Sequence, residues 1–151
     1  MGLTVDKIKQ AVTDLELDEP VTFAFGTESE ANLIADYTAS GGVFVWIGPL
    51  TANFKREANF TKVYTVGILW AMLTDLDSIQ EDSTSIFEKL EGYALRHIVK
   101  LGDNLRATGA FGPGQGIQAG SYSMDRFNEM DANMDGLFIS FEVELTDKVA
   151  Y

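Results

Sequence analysis

Five residues near the carboxyl end of the chain have the types and spacing of a calcium-binding loop. Asp131, Asn133, Asp135, Gly136 and Glu142 fall at positions 1, 3, 5, 6 and 12 of such a loop. In these loops carboxylate and amide oxygens bind the ion, and the glycine allows a sharp turn. A calcium-binding regulatory module is therefore one interpretation, with Asp131, Asn133, Asp135 and Glu142 as its ligands.

The same segment also has the pattern of a half-buried strand. Apolar residues alternate with mostly polar ones from position 137 to position 146, which is the period of a strand. A calcium hand instead needs a helix there, so that the Glu at position 12 binds with both oxygens. Position 9 of the loop is Ile139, not a polar residue. We therefore favour a hairpin turn at Asp135 and Gly136 that leads into a closing strand, with no metal bound.

Residues for acid-base or nucleophilic catalysis are few. The chain has one histidine, His97, and no cysteine, and it contains no Gly-x-Ser-x-Gly motif. His97 lies on a predicted helix, where a packing or surface role is commoner than catalysis. A carboxylate pair assembled in space stays open as an alternative, but no residues can be assigned to it. We predict that the protein is not an enzyme and has no cofactor.

Composition indicates one globular domain over residues 1–151. Hydrophobic residues make up 46% of the chain and charged residues 23%, which suits a single core at this length. With 23 acidic and 11 basic residues the formal charge is −12, so the surface repels phosphate and conventional nucleic-acid binding is not expected. No apolar run approaches the length of a membrane span, and we expect no membrane association.

Hydrophobic periodicity predicts an α+β fold, mainly an antiparallel sheet packed by an amino-terminal helix and one longer central helix. The first helix has Thr4 as its cap and apolar residues at spacings of three and four. The second has a Ser85 and Glu88 capping box and ends at Gly102. Strands are predicted at residues 21–25, 43–47 and 61–73, the last of them central to the sheet.

Three segments are predicted to lack regular structure. Residues 48–60 form a loop before the central strand. Residues 104–123, with five glycines between positions 109 and 120, form a flexible loop. Residues 124–130 are irregular or a single helical turn, and residues 28–39 are ambiguous between a helix and a polar connection.

The order of these elements resembles the tail-terminator and tail-completion proteins of tailed bacteriophages. Three stretches carry the resemblance: the strand TKVYTVGILWAML, the helix SIFEKLEGYALRHIVKL, and the closing segment DGLFISFEVELTD. The resemblance extends from about residue 3 to residue 147 and rests on pattern rather than on a diagnostic motif. It implies a tail-terminator-like fold and a non-enzymatic protein of the virion, assembled in the host cytoplasm.

The resemblance also implies partners. The subunit would associate with itself into a ring at the neck or the head-proximal end of the tail, next to tail-tube, connector or portal-proximal proteins. DNA would pass through the lumen without tight binding, as the acidic charge favours. Two loops would make the contacts, through Pro49, Asn53, Lys55, Arg56, Phe111, Gly114 and Gln115.

Overall fold

The computed structural model describes residues 3–26, 42–55, 61–73, 81–108, 116–117, 123–129 and 134–146. Within these ranges two helices and seven strands form an α+β structure. The helices are α1 (Val5–Thr13) and α2 (Glu81–Ala107). The strands are β1 (Val21–Phe25), β2 (Val43–Ile47), β3 (Thr51–Lys55), β4 (Thr61–Leu73), β5 (Gly116–Ile117), β6 (Ser123–Glu129) and β7 (Met134–Thr146).

The sheet is built around two long antiparallel strands. β4 and β7 pair over 13 residues, from Thr61 opposite Thr146 to Leu73 opposite Met134. On the other edge of β4, β3 pairs with its first half and β2 with its second half. β5 and β6 share the outer edge of β7 in the same way. Among the described strands, β1 and β2 form the one parallel pairing. The other pairings are antiparallel and β4 lies at the middle of the strand order. The prediction of a mainly antiparallel sheet with β4 at its centre is therefore confirmed.

Both helices pack on one face of the sheet, because alternate residues of β4 and β7 present an apolar surface there. Trp70, Ile68, Ile139 and Phe141 are fully buried in this core. α1 contributes Ile8, Ala11 and Val12, whose spacings of three and four residues place them on one helix face. α2 contributes its apolar stripe to the same cluster: Leu90, Ala94, Ile98, Leu101 and Leu105.

The start of α1 follows the predicted cap. The backbone N–H of Lys7 donates to the Thr4 hydroxyl at 3.3 Å, which satisfies one of the amide groups left unpaired in a first helical turn. The helix ends at Thr13, and Glu16 has a left-handed φ of 51°. Leu15 therefore lies beyond the helix, although it still packs against the core.

The predicted ends of α2 are wrong at both termini. The helix begins at Glu81, so that Ser85 lies inside it rather than capping it, and it continues through Gly102 to Ala107. A glycine in a helix costs about 1 kcal/mol relative to alanine, and burial of Leu105 one turn later stabilises the fold by more than that, about 1.5–3 kcal/mol. Glu81 and Asp82 therefore belong to the helix.

Two segments predicted to be irregular are strands. Residues 51–55 form β3, and residues 123–129 form β6. TANFK alternates over only five residues, and SMDRFNE does not alternate. Each lies at the edge of a long strand whose backbone groups need partners. The hairpin turn is also misplaced, because Asp135 and Gly136 are paired residues of β7, and residues 130–133 connect Glu129 to its partner Met134.

Candidate functional site

The first predicted interaction loop contains a strand. Pro49 is exposed between β2 and β3, as a loop residue would be, whereas Asn53 is exposed on β3 and Lys55 is its last residue. The prediction that Asn53 and Lys55 lie in a loop is therefore wrong. Arg56 lies outside the described residues. At this position β2 and β3 follow one another along the same edge of β4, and residues 48–50 connect them.

The second predicted interaction loop falls mostly outside the described residues. Phe111, Gly114 and Gln115 are among those outside. Two residues of this loop, Gly116 and Ile117, form β5 and pair with Glu144 and Val143 of β7.

The four calcium candidates do not share one described site. Asp131 and Asn133 lie outside the described residues, whereas Asp135 and Glu142 both lie on β7. Seven residues of extended strand separate them, a distance of about 23 Å. Calcium ligands lie within about 2.6 Å of the ion, so a single loop site cannot use both carboxylates. Within the described ranges, no three His, Asp or Glu side chains are grouped so that they could hold a metal ion.

His97 is a packing residue between the two helices. Its side chain is fully buried, and its Nε2 lies 3.1 Å from the backbone oxygen of Ile8, which assigns the proton to Nε2. The imidazole also contacts Trp70 edge-on, with ring centroids 5.8 Å apart. Burial lowers the pKa of His97 to about 4, against a smaller opposing effect of the hydrogen bond to Ile8. The ring is therefore neutral at pH 7.

A charged cluster ties the segment after α1 to α2. Lys89 forms an ion pair with the Glu19 carboxylate, and the Tyr93 hydroxyl donates to the same carboxylate at 2.5 Å. Partial burial pushes the pKa of Glu19 upward, but the hydrogen bonds from Lys89 and Tyr93 outweigh it and the net shift is downward. The cluster holds two elements together and contains no group aimed at an open cleft.

A second link joins the same elements. The Asn104 amide donates to Asp14 at 3.0 Å, and Gln10 donates to the other oxygen of Asp14 at 2.8 Å. These bonds, from Gln10 first and then Asn104, lower the pKa of Asp14. These links join the end of α1 and the segment after it to α2.

The sheet face away from the helices is apolar at one end. Ala24, Phe44 and Ala71 are buried there, with Trp46 and Leu69 packed against them. Phe138 extends this patch: its ring centroid lies 6.4 Å from that of Trp46, and a Cβ on Gly67 would meet Phe138 Cζ at 2.9 Å. Toward the other end of β7, Glu142 is exposed. The face therefore changes from apolar to acidic along the sheet.

The outward face of α2 carries two apolar side chains that the sequence reasoning missed. Leu95 is 38% exposed and Val99 is 64% exposed. The sequence contained a pattern that indicates them, because Leu95 and Val99 lie four residues, or one helical turn, apart and outside the apolar stripe of α2. Polar residues are usual on such a face.

No protein-family model matches the sequence, and no curated protein is recovered as a relative. Neither described helix is both long enough and apolar enough to cross a membrane.

Proposed function

We propose that this protein is a structural component of a tailed-phage virion, a tail-terminator, tail-completion or head–tail connector subunit that forms a ring at the neck or head-proximal end of the tail. One observation carries the proposal: the 13-residue ladder of β4 and β7 with α2 packed across it. These are the elements on which the resemblance to tail terminators rests. Fold resemblance alone does not establish function, so the assembly itself must be measured.

Charge supports the same proposal. With a formal charge of −12, the subunit repels the phosphate backbone. A ring through which DNA slides benefits from that repulsion, since tight binding would slow passage. The ring would not be an enzyme and would act through its contacts with itself and with neighbouring tail-tube, connector or portal-proximal proteins.

Ring contacts would use an exposed edge of the sheet. Pro49, between β2 and β3, and Asn53 of β3 are exposed at one such edge. Successive subunits of a ring use different surfaces, in head-to-tail order, and the rotation between them must close. The β3 edge would supply one of these two surfaces.

Electron microscopy and sedimentation velocity test the proposal. Purified protein, alone and mixed with tail-tube and connector proteins, is expected to form closed rings. Asn53→Lys should reduce the ring fraction, whereas Asp18→Lys, a change to lysine at an exposed position after α1, should leave it unchanged. A protein that stays monomeric under all of these conditions, with each partner present in excess, contradicts the proposal.

The calcium-binding alternative is not favoured by the structure, because β7 holds Asp135 and Glu142 far apart.

A further inference from the structure

The outward face of α2 forms a continuous stripe along most of the helix. At about 100° per residue, residues spaced by three, four and seven positions fall on one line of the surface. Glu88 lies at the amino-terminal end of this stripe, Leu95 and Val99 at its centre, and Arg106 at its carboxyl-terminal end. All four are exposed, and we call this set the α2 stripe.

The α2 stripe is complementary to a second copy of itself placed antiparallel. The acidic end of one copy then lies opposite the basic end of the other, and the apolar residues lie opposite each other. Position 97 is its midpoint: Leu95 and Val99 lie two residues to either side of it, and Glu88 and Arg106 lie nine residues to either side. Gly92 and Gly102 lie five residues to either side. A second copy of the helix, placed antiparallel about this midpoint, brings Leu95 opposite Val99 and Glu88 opposite Arg106.

Glycines make a close approach possible. A Cβ on Gly92 would meet nothing within 4 Å, so there is open space beside Leu95 on the monomer. In the antiparallel arrangement Gly92 lies at the same level along the helix as Gly102 of the second copy, on the other flank of the contact. Because the distance between helix axes depends on the side chains at the contact, two glycines at this level let Leu95 and Val99 reach their counterparts.

Charges along the contact are compatible. Arg106 forms an exposed ion pair with Asp103 at 3.3 Å in the monomer. Exposed pairs of this kind contribute little to stability, so Arg106 can turn to Glu88 of a second copy at small cost. Glu91 and Asp103 lie on opposite flanks of the stripe, and the same arrangement does not bring these two acidic groups together.

We propose that the α2 stripe is a two-fold contact surface whose partner is a second copy of this chain, bound antiparallel through Leu95, Val99 and the Glu88–Arg106 pairs. Such a contact is isologous and closes at two copies, unlike the head-to-tail contacts of a ring. It therefore stands independently of the ring proposal. One helix pair over 19 residues, a length of about 27 Å, buries less than a standard interface of about 1,600 Å², so the dimer is weak and depends on concentration.

Sedimentation equilibrium of the full chain between about 10 μM and 1 mM tests this contact, a range chosen for micromolar or weaker affinity. We expect a monomer–dimer equilibrium whose Kd rises at least about tenfold in Val99→Glu, since the symmetry places two altered residues in each dimer. Val99 is exposed, and Glu has the better helix propensity, so the melting temperature of the dilute monomer should not fall. A wild-type protein that shows no dimer at 1 mM overturns the proposal, as does a dimer that Val99→Glu leaves intact.

Charge reversal tests the orientation. Glu88→Arg and Arg106→Glu should each weaken the dimer roughly tenfold, because each places like charges opposite one another twice. The double variant should recover wild-type affinity, and a mixture of the two single variants should form a heterodimer. Asp18→Lys, a charge reversal at an exposed residue after α1, is the control and should change nothing.

These outcomes separate the dimer from the ring. If the two single reversals weaken association and the double variant does not restore it, the antiparallel pairing is wrong. If the chain forms only larger closed rings, and Val99→Glu leaves them unchanged, the ring proposal is supported and the two-fold contact is overturned. Conversely, a dimer without rings supports the α2 stripe and counts against the ring.

Discussion

At the scale of single residues, His97 shows that burial, rather than residue type, determines whether a side chain is charged at neutral pH. The imidazole is enclosed between α1, α2 and Trp70, and among the described residues no group lies within hydrogen-bonding distance of its Nδ1. A neutral ring avoids placing a charge in that environment, where desolvation is costly. The residue most suited by type to acid-base work is thus committed to packing.

His97 should make stability depend on pH. Its pKa in the folded protein is about 4, below the ordinary value of about 6.5. Between these values the unfolded chain binds a proton that the folded chain does not, so the free energy of unfolding falls as pH falls through this window. The full loss is about 3 kcal/mol.

Urea denaturation at several pH values between 7 and 4.5 measures this dependence. His97→Gln can still donate to the Ile8 oxygen but does not titrate, and it should show a markedly smaller loss over the same range. The pKa values of Asp14 and Glu19 are also lowered. The stability that these two carboxylates contribute is lost at lower pH, as the pH falls from the ordinary carboxyl pKa through the pKa values that they have in the folded protein. Equal slopes for wild type and variant between pH 6.5 and 4.5 would contradict the assignment.

At the scale of elements, the junction of β1 and β2 depends on close backbone contact. The N–H of Val43 donates to the Pro20 oxygen at 2.9 Å, immediately before the parallel pairing begins. A Cβ on Gly42 would meet that same oxygen at 2.6 Å. Gly42 also has a φ of +158°, which residues with a side chain rarely adopt, so both space and backbone conformation favour glycine here.

The same substitution should therefore have opposite effects at two glycines. Gly42→Ala pushes against backbone and should lower the free energy of unfolding by about 1–3 kcal/mol. Gly92→Ala meets nothing within 4 Å on α2 and should raise it by about 0.5–1 kcal/mol through helix propensity. Chemical denaturation at low micromolar concentration, where α2 contacts between copies are dissociated, compares the two. Destabilisation by both variants would show that the surroundings of Gly92 are not open.

Edge strands show where local pattern stops being informative. β4 has an apolar residue at every second position from Tyr64 to Met72 and is bounded by the same residues in the sequence prediction and in the structure. β3 alternates over only five residues and β6 does not alternate, yet both are strands, since β4 and β7 extend beyond the reach of β2 and β5 and present backbone groups that need partners along the rest of their edges. An edge strand is specified largely by its neighbour, and the neighbour is distant in sequence.

At the scale of the whole molecule, charge predicts how the protein behaves toward ions and DNA. A formal charge of −12 attracts cations diffusely, but diffuse attraction differs from a site. In the described ranges no acidic group is arranged for chelation.

Calcium at 1 mM should shift the melting temperature no more than magnesium at the same concentration, and calorimetry should detect no saturable heat. The physical reason is the separation of Asp135 and Glu142 along β7. Glu142→Gln is the matched variant and should behave as the wild type. A calcium-specific heat that Glu142→Gln abolishes would restore the calcium-binding interpretation.

Duplex DNA should not be retained by the protein at 150 mM salt, and lowering the salt to 50 mM should not produce binding. Proteins that bind through Lys and Arg gain affinity steeply over that range because counterions are released, whereas an acidic surface does not. Fluorescence anisotropy of a labelled duplex measures this, with a basic DNA-binding protein as the positive control. Salt-sensitive binding would contradict the expected free passage of DNA through a ring.

The amino-acid sequence by itself determined the features that depend on neighbours along the chain. Alternation defined β4 and the strand through Glu142, spacing defined the buried faces of α1 and α2, and Thr4 defined the first helix start. The acidic charge and the lack of thiols also needed no structure. These properties depend on neighbouring residues or on composition, so they can be read directly from the sequence.

Only the tertiary structure decided the rest. Burial of Leu105 carries α2 past Gly102, pairing with β7 makes a strand of residues 123–129, and contact with α1 buries His97. The tertiary structure also shows that Leu95 and Val99 remain exposed on α2. Each of these outcomes depends on which surface of a distant element lies against the residue, and the free energy of that contact exceeds the local preference that sequence patterns report.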